Sequence, residues 1–315
     1  MILPKFEYKR ASSLAEAIGY FNQFKGQALY LAGGTDLLPL LKQRLFQPAA
    51  VIDLKPIGEL NALSRDKRWL TIGANVALFR LKQEDMVQEY FPALAASLEA
   101  TSCETLQMRG SLGGNLLQDA RCLQFNKSLE WRTARGFCWK MGGPACNVVP
   151  NAKNCFANYS SDNAPALLSL SAQARLVGPG GERTVKLEKL YSADGRKPLA
   201  LQPGEILTQI RIPLEKTGGT YEKLRVRDSL DYPLVGVAVS LKGEVTRVCV
   251  GGVGPAPRLY QLQKLDDVSV QEAAARAAAE AKPVLNTVLP PAYRKKMVGV
   301  LFKRAIKKVQ QGGRR

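Results

Sequence analysis

The chain has 315 residues, 46% of them hydrophobic and 23% charged, with a formal net charge of +18. This length exceeds one typical domain, so two or three modules are expected. The sequence contains no histidine, which excludes Ser-His-Asp and Cys-His catalysis and every histidine metal ligand. Chemistry in this protein therefore depends on a bound cofactor, and no catalytic side chain is predicted.

The positive charge could attract nucleic acid, but the lysine and arginine residues are spread along the chain. No helix-turn-helix, zinc-finger or aromatic RNA-binding motif accompanies them, so nucleic-acid binding is not expected. A basic surface that offsets anionic cofactors and meets an acidic partner subunit is the better interpretation. No run of about 18 apolar residues predicts a membrane helix, and no signal-peptide pattern opens the chain. A cytoplasmic location is therefore expected.

The first half of the chain predicts alternating strands and helices. ILPKFEYKRASSLAEAIGYFNQF indicates a strand and then a helix, with Ser12 or Ser13 as N-cap and Glu16 near the capping-box position. ALYLAGGTDLLPLLKQRLF indicates a strand, a Gly-Gly turn and a helix, and AAVIDLKPI and RWLTIGANVAL are further strands. Helices are expected around MVQEYFPALAASLEA, and MRGSLGGNLLQ predicts a second glycine turn between an extended piece and a short helix.

Beyond about residue 177 the pattern changes to shorter strands separated by turns, followed by two helices. The Gly-Pro-Gly-Gly turn at residues 178–181 marks the expected boundary. VQEAAARAAAEA predicts one helix, Pro291 starts a basic amphipathic helix, and QQGGRR is expected to be a disordered tail. The expected domains are a first subdomain at 1–56, a second subdomain at 57–177, a C-terminal domain at 178–290, and a basic helix with its tail at 291–315.

Three glycine-containing turns are candidates for a cofactor site. Glycine allows positive φ and lets backbone N–H groups approach a phosphate, and the hydroxyl of Thr35 or Ser111 adds a donor. Such loops suit a cofactor with a diphosphate, although none has the G-x-G-x-x-G spacing of a dinucleotide fingerprint. Plain tight turns are the alternative. The residues concerned are Ala32, Gly33, Gly34, Thr35, Asp36, Thr71, Gly73, Gly110, Ser111, Gly113, Gly114 and Asn115.

Four of the six cysteines, Cys122, Cys138, Cys146 and Cys155, are separated by 15, 7 and 8 residues. Without histidine, such a group can bind metal only through thiolates, which leaves iron–sulfur, zinc or disulfides. A reducing compartment disfavours disulfides, and structural zinc usually takes cysteine pairs only a few residues apart. The open spacing therefore favours an irregular loop around a [4Fe–4S] cluster, with ordinary buried or surface thiols as the alternative.

Other residues of the cysteine segment have two interpretations each. The basic side chains either offset the negative charge of a cluster or form a solvated loop surface. Trp131 and Trp139 either shield a cluster from water or pack in a core. The remaining cysteines, Cys103 and Cys249, are interpreted as packing residues. The basic residues concerned are Arg121, Lys127, Arg132, Arg135, Lys140 and Lys153.

The motifs AGGTD, TIGA, RGSLGGN, SDNAPALL, YEKLRVRDSLDYPLVGVAVSL and VCVGGVGPAP follow one another along nearly the whole chain, from Phe6 to about Lys308. This series resembles the FAD-binding medium subunits of the molybdenum hydroxylase family, which includes carbon monoxide dehydrogenases, xanthine dehydrogenases and aldehyde oxidoreductases. The resemblance implies an α+β fold. Two α/β subdomains of the PCMH/VAO-type FAD-binding fold are expected, with a C-terminal α/β domain of the CO dehydrogenase flavoprotein type.

The cysteine segment is an insertion of some 40 residues, at about 120–158, relative to most medium subunits. It resembles the insertion in the β subunits of 4-hydroxybenzoyl-CoA reductases, which holds a [4Fe–4S] cluster. CLQFNKSLEWR, FCWK, GGPACNVVP and NCFANYSSD match the pattern of that insertion. The resemblance implies that Cys122, Cys138, Cys146 and Cys155 ligate the cluster.

The resemblance also implies flavin contacts. The glycine turns named above match the loops that hold the FAD diphosphate, with Ser111 as a phosphate donor. Asp162 occupies an acidic position on the ribose side of FAD, and Ile206 and Lys223 fall near positions beside the isoalloxazine. The sequence departs from the family pattern twice: TIGA replaces the commoner TIGG, and Leu-Gln-Phe follows Cys122 where an aromatic pair is usual.

An electron-transfer role within a complex follows from the resemblance. A large subunit would hold molybdopterin and a small subunit two [2Fe–2S] clusters, and this chain would carry FAD and [4Fe–4S], in a dimer of heterotrimers. The implied reaction is the reduction of 4-hydroxybenzoyl-CoA, with electrons from a ferredoxin-like carrier. Two alternatives stay open: the medium subunit of an aldehyde or aromatic hydroxylase, and a zinc-stabilised non-redox binding protein without flavin.

Overall fold

The computed structural model describes residues 2–312. Within this range the chain is α+β, with twelve strands in three sheets and eleven α-helices. The strands are β1 Glu7–Arg10, β2 Ala28–Leu31, β3 Ala50–Asp53, β4 Leu63–Arg65, β5 Trp69–Gly73, β6 Gln173–Gly178, β7 Gly181–Lys186, β8 Ile206–Pro213, β9 Gly218–Leu224, β10 Val235–Lys242, β11 Val245–Gly251 and β12 Arg258–Leu262. The helices are α1 Leu14–Gln23, α2 Leu37–Lys42, α3 Leu78–Lys82, α4 Asp85–Tyr90, α5 Pro92–Ala100, α6 Glu104–Gln107, α7 Leu112–Leu116, α8 Leu129–Arg135, α9 Asn163–Ser169, α10 Asp267–Glu280 and α11 Pro291–Gly312.

The first sheet holds three short parallel strands in the order β1-β3-β2. Helix α1 contributes Ala17 to the core beneath this sheet, where β3 contributes Ile52, and both side chains are fully buried. The expected start of α1 is confirmed. Ser13 Oγ accepts from the Glu16 N–H at 3.2 Å, and the Glu16 carboxylate accepts from the Ser12 N–H at 2.7 Å, so the bonds are those of a capping box except that Glu16 returns to the residue before the N-cap.

The second sheet holds five antiparallel strands in the order β4-β5-β8-β6-β7. β6 and β7 form a hairpin whose Gly-Pro-Gly-Gly turn joins Gly178 to Gly181. β8 then pairs with both β5 and β6, so the sheet continues to Pro213. The boundary expected near residue 177 therefore falls inside this sheet. Glycine and proline favour any tight reversal, whether or not a domain ends there.

The third sheet holds four antiparallel strands in the order β12-β11-β10-β9. Helices α10 and α11 cover one face, where Val237, Val298 and Phe302 are fully buried in a common core. Ala238 and Cys249 lie on the other face and belong to the core of the second sheet, because successive residues of a strand point to opposite faces. The C-terminal domain is thereby packed directly against the second subdomain.

The basic helix expected from Pro291 is α11, which runs to Gly312. Residues 310–312 are therefore helical, whereas residues 313–315 of the expected tail lie outside the described part of the chain. The apolar side of α11 is buried against the third sheet, so this helix is part of the C-terminal domain. Among residues 2–312, every helix falls short of the length and hydropathy that a membrane span requires.

The insertion between α7 and α9 is largely irregular, apart from α8 and a 3-10 turn at Trp139–Met141. Arg132 of α8 is buried and anchors it to the first subdomain. Its Nη2 donates to the carbonyls of Gln43 at 2.9 Å and Arg44 at 3.0 Å, and its Nε donates to Lys127 O at 3.1 Å. Because Gln43 and Arg44 directly follow α2, the insertion is held against the C-terminal end of that helix.

Candidate functional site

Two of the expected glycine turns are in direct backbone contact. A Cβ atom at Gly33 would lie 1.8 Å from the carbonyl oxygen of Arg109, so the loops can approach this closely only with glycine at position 33. Gly34 has φ +77°, in the left-handed region that glycine adopts readily. The first turn therefore uses its two glycines for separate reasons, a close approach at Gly33 and a chain reversal at Gly34.

The second turn leads into α7, which packs against the end of β5. Ser111 is the N-cap of α7 and accepts from the Gly114 N–H at 3.1 Å. Gly113 donates to the Ala74 carbonyl at 2.8 Å, and a Cβ atom at Gly113 would lie 2.7 Å from that of Ala74. One expectation is wrong: a short helix, α6, and not an extended piece, precedes Gly110.

A continuous groove, here called the cofactor groove, follows these turns in two parts of about 310 and 200 Å³. Thr35, Asp36, Ser111 and Gln118 line both parts. The first part is also lined by Tyr30, Ala32, Gly33, Gly34, Ala74, Asn75, Gly113, Gly114, Asp119, Ile206 and Leu207. The second part is also lined by Gly110, Asn115, Ser160, Asp162, Arg227, Leu230, Asp231 and Tyr232.

Most of the expected flavin contacts thus line the cofactor groove, but Thr71, Gly73 and Lys223 do not. Thr71 and Gly73 lie in β5, which pairs with β4 and β8. A Cβ atom at Gly73 would lie 2.3 Å from the Leu60 carbonyl oxygen, so packing within the protein accounts for this glycine. The groove instead reaches the next two residues, Ala74 and Asn75.

Asp162 and Lys223 form a buried ion pair beside the second part of the groove. Lys223 Nζ lies 3.0 Å from the Asp162 carboxylate, and the side chains are 5% and 6% exposed. Tyr221 donates its hydroxyl to Asp162 at 2.8 Å, while Lys223 also donates to the carbonyls of Ala100 and Asp231. Burial raises the pKa of Asp162 to about 6, against the opposing effects of Lys223 and Tyr221.

The two residues expected beside the isoalloxazine are not brought together. Ile206, at the start of β8, lines the first part of the groove near Tyr30. Lys223, in β9, is bonded to Asp162 in the second part. Lys223 itself lines neither part and adjoins the groove only through its ion pair with Asp162.

A further cluster at the groove was not foreseen from the sequence. The Arg121 guanidinium lies 4.1 Å from the centroid of the Tyr232 ring, and Arg121 Nη1 lies 3.4 Å from Asp36 Oδ1. The Tyr232 hydroxyl is 3.3 Å from the same oxygen. Burial raises the pKa of Asp36 and is opposed by Arg121. Along the chain, Arg121 lies 85 positions from Asp36 and 111 positions from Tyr232. No local motif could therefore indicate their contact.

The four clustered cysteines line one small cavity, here called the cysteine cavity. Its other walls include Phe125, Trp139, Lys140, Phe156, Val284 and Asn286. All six cysteines of the chain are free thiols. Within residues 2–312, no three cysteine or acidic side chains converge closely enough to bind a single metal ion. The thiols therefore surround a space and do not meet at a point.

Burial raises the pKa of two thiols in the cysteine cavity. It raises the pKa of the Cys122 thiol to about 11 and that of Cys155 above its ordinary value. Of the two tryptophans, Trp139 lines the cavity and Trp131 is 39% exposed. Outside the cavity, Cys249 is fully buried, as expected of a packing residue. Cys103 is partly exposed and bonded to Thr105, so its interpretation as a packing residue is wrong.

These features define a two-domain protein with an elongated groove for a nucleotide-type cofactor. The family model described as "FAD binding domain in molybdopterin dehydrogenase" matches residues 4–215, and the "CO dehydrogenase flavoprotein C-terminal domain" matches residues 219–309. The chain belongs to the FAD-binding medium subunits of the molybdenum hydroxylase family. FAD binding and the expected fold class are thereby confirmed.

Relatives with several activities support this assignment. The carbon monoxide dehydrogenase medium chain of Afipia carboxidovorans is 28% identical over 98% of both chains. The aldehyde oxidoreductase FAD-binding subunit PaoB of Escherichia coli is 32% identical over 80% of this chain and 82% of its own. Among solved structures, a carbon monoxide dehydrogenase from Hydrogenophaga pseudoflava superposes with a TM-score of 0.80 at 26% identity, over 99% of both chains.

Proposed function

We propose that this chain is the FAD- and [4Fe–4S]-containing electron-transfer subunit of a molybdenum oxidoreductase. The proposed complex to which it belongs is a 4-hydroxybenzoyl-CoA reductase. The single observation that carries the proposal is the cysteine cavity, in which four thiols of one insertion surround a common space beside the cofactor groove. No side chain of this subunit acts as acid or base, and the substrate binds to a partner subunit.

The cofactor groove fits FAD. Gly33, Gly34, Gly113 and Gly114 leave the middle of the groove without side chains, and Ser111 places a hydroxyl and a helix N-terminus there. Backbone N–H groups and hydroxyls of this kind bind a diphosphate, so the remaining parts of the groove take the two ring systems. FAD supplies the exchange between two-electron and one-electron transfer when it is bound.

The cysteine cavity fits an iron–sulfur cluster better than zinc. Four thiols, with no histidine or carboxylate among the residues that line the cavity, form the donor set that a [4Fe–4S] cluster takes. A single zinc ion needs ligands that converge on one point, which the described side chains do not do. The cluster supplies one-electron transfer when it is bound, and Cys122, Cys138, Cys146 and Cys155 hold it.

The proposed complex contains a large molybdopterin subunit and a small subunit with two [2Fe–2S] clusters, in a dimer of heterotrimers. A reduced ferredoxin-like protein donates the electrons. Because such a carrier is expected in the cytoplasm, we assign the complex to that compartment. The formal charge of +18 would steer an acidic carrier to this subunit. We expect the rate of reduction by ferredoxin to fall as salt is added, and an unchanged rate would contradict the steering.

A second candidate is the medium subunit of an aldehyde or aromatic hydroxylase. The 32% identity with PaoB, an aldehyde oxidoreductase subunit, favours it. Both candidates assign the same cofactors to this chain, because the substrate is chosen on the large subunit. They are separated by assaying the purified complex for aldehyde oxidation and for reduction of 4-hydroxybenzoyl-CoA.

The test of the cofactor assignment is a count of FAD, iron and sulfide in the co-expressed complex, with iron corrected for the partner clusters. We expect one FAD and four irons on this chain. Cys146→Ser should lower the iron count and remove the EPR signal of the additional cluster, whereas Cys103→Ser, outside the cavity, should change neither. FAD without iron, or zinc in place of iron, would overturn the cluster assignment.

A further inference from the structure

Lys140 lies between the cysteine cavity and the cofactor groove. It lines the cysteine cavity, and its side chain is 4% exposed. Its Nζ donates to Asp119 Oδ1 at 2.7 Å and to the Gly195 carbonyl at 2.5 Å, and lies 4.8 Å from the centroid of the Phe125 ring. The cation is therefore fixed in one place and shielded from water.

Asp119, the partner of Lys140, lines the first part of the cofactor groove. The Lys140–Asp119 ion pair thus spans the wall between the two sites, with its positive end towards the thiols and its negative end towards the groove. A buried ion pair contributes little to stability compared with apolar packing of the same volume. Its position in the wall between the two sites instead points to an effect on the charge of those sites.

Residues 194–196 hold Lys140 and the cysteines in a fixed relationship. Gly195 accepts from Lys140 and donates its own N–H to the Cys155 carbonyl at 2.9 Å. Asp194 Oδ1 accepts from the Cys155 N–H at 3.1 Å, and the Arg196 guanidinium lies 3.9 Å from the centroid of the Trp139 ring. Gly195 therefore links the Lys140 ammonium to the backbone of Cys155 through one hydrogen bond on each side.

We propose that Lys140 raises the reduction potential of the iron–sulfur centre in the cysteine cavity, and that Asp119 positions it and moderates its charge. The proposal rests on the function proposed above. A fixed cation stabilises the reduced state, which carries one more negative charge than the oxidised state, and does so strongly where water is excluded. Lys140 and Asp119 should then have opposite effects on the potential.

The experiment is a redox titration of the centre by EPR in the assembled complex. In Lys140→Met, the ratio of reduced to oxidised centre at a fixed potential should fall about tenfold, which corresponds to a midpoint ~59 mV lower. Lys140→Arg should stay close to wild type because the charge is kept. Asp119→Asn keeps a hydrogen-bond acceptor but removes the opposing charge, so its midpoint should move upward.

The matched control is Lys153→Met, which removes an exposed lysine of the same insertion and should shift the midpoint little, because water screens its charge. An unchanged midpoint in Lys140→Met, or a shift of the same sign in Lys140→Met and Asp119→Asn, would overturn the proposal. If Lys140→Met loses iron, Asp119→Asn decides it: an upward shift beside a wild-type midpoint in Lys140→Arg supports the proposal, and no upward shift overturns it. Wild-type complex without iron on this chain refutes the proposed function itself, which the iron count reveals before any titration.

Discussion

Arg121 and Tyr232 stack beside the second part of the cofactor groove, with the guanidinium 4.1 Å from the ring centroid. Arg121 begins the cysteine insertion, and Tyr232 lies in the segment between β9 and β10 of the C-terminal domain. Both side chains also reach the partly buried carboxylate of Asp36 in the first glycine turn. The contact therefore joins the insertion, the C-terminal domain and the FAD-binding domain at one point of the groove.

Arg121→Gln should weaken FAD binding, because it removes the cation–π contact and leaves Asp36 without its cation. Cation–π contacts and partly buried ion pairs are each worth about 1 kcal/mol, so we expect the FAD dissociation constant to rise by up to about 30-fold. Flavin fluorescence during dilution of the loaded protein measures it. Arg135→Gln removes an exposed arginine of the same insertion and should leave FAD affinity unchanged; an equal effect in both variants would contradict a specific role of Arg121.

Gly33→Ala should prevent the two glycine turns from meeting. The added Cβ would lie 1.8 Å from the Arg109 carbonyl oxygen, and neither backbone can yield without separating the loops. We expect loss of FAD binding and a lower melting temperature of the purified chain. Gly19→Ala is the control, since nothing lies within 4 Å of a Cβ there and alanine favours a helix. Normal flavin content in Gly33→Ala would refute this account of the groove.

Arg132→Met should release the insertion from the first subdomain. The substitution leaves the carbonyls of Gln43, Arg44 and Lys127 without their donor, and a hydrogen bond to a charged group contributes about 1.5–3 kcal/mol. We expect faster hydrogen exchange across the insertion and preferential proteolysis within it. Arg132→Lys should rescue this only in part, because a single ammonium cannot reproduce the fork of a guanidinium. Unchanged exchange in Arg132→Met would show that the insertion is held elsewhere.

Local chemistry explains what the sequence could predict. Ser13 and Glu16 cap α1 through residues three positions apart, and the glycine turns need properties that only glycine supplies, so these features are visible in short segments. Packing over long separations is not visible in this way. Gly73 lies in the TIGA motif, which the resemblance assigns to FAD. Its missing Cβ makes room for the carbonyl oxygen of Leu60, and it does not line the cofactor groove.

The same limit applies to charged side chains. The six basic residues of the insertion look alike in the sequence, but their surroundings differ. Arg132 is buried and bonded to the residues that follow α2, Arg121 stacks on Tyr232, and Lys140 lines the cysteine cavity. Each acquires its environment from partners 21 to 111 positions away. Sequence reasoning could identify the segment and its thiols, whereas the distinction between a solvated and a functional cation required the packed structure.

Asp162 should make the stability of the chain depend on pH. Its pKa is about 6 in the folded protein, compared with 3.8 for a free aspartate, mainly because burial disfavours the charged form. The folded state therefore binds the proton more tightly than the unfolded state. The resulting stabilisation is fully present below about pH 4 and is lost as the pH rises through about 6, by roughly 3 kcal/mol.

Asp162→Asn should remove this dependence, because an amide does not titrate. The measurement is the free energy of unfolding in urea from pH 4 to 7, taken as the difference between variant and wild type so that other groups cancel. Asp228→Asn, at a fully exposed position, is the control and should keep the wild-type slope. A flat difference curve for Asp162→Asn would mean that Lys223 and Tyr221 hold the carboxylate ionised throughout, and that burial does not dominate at this position.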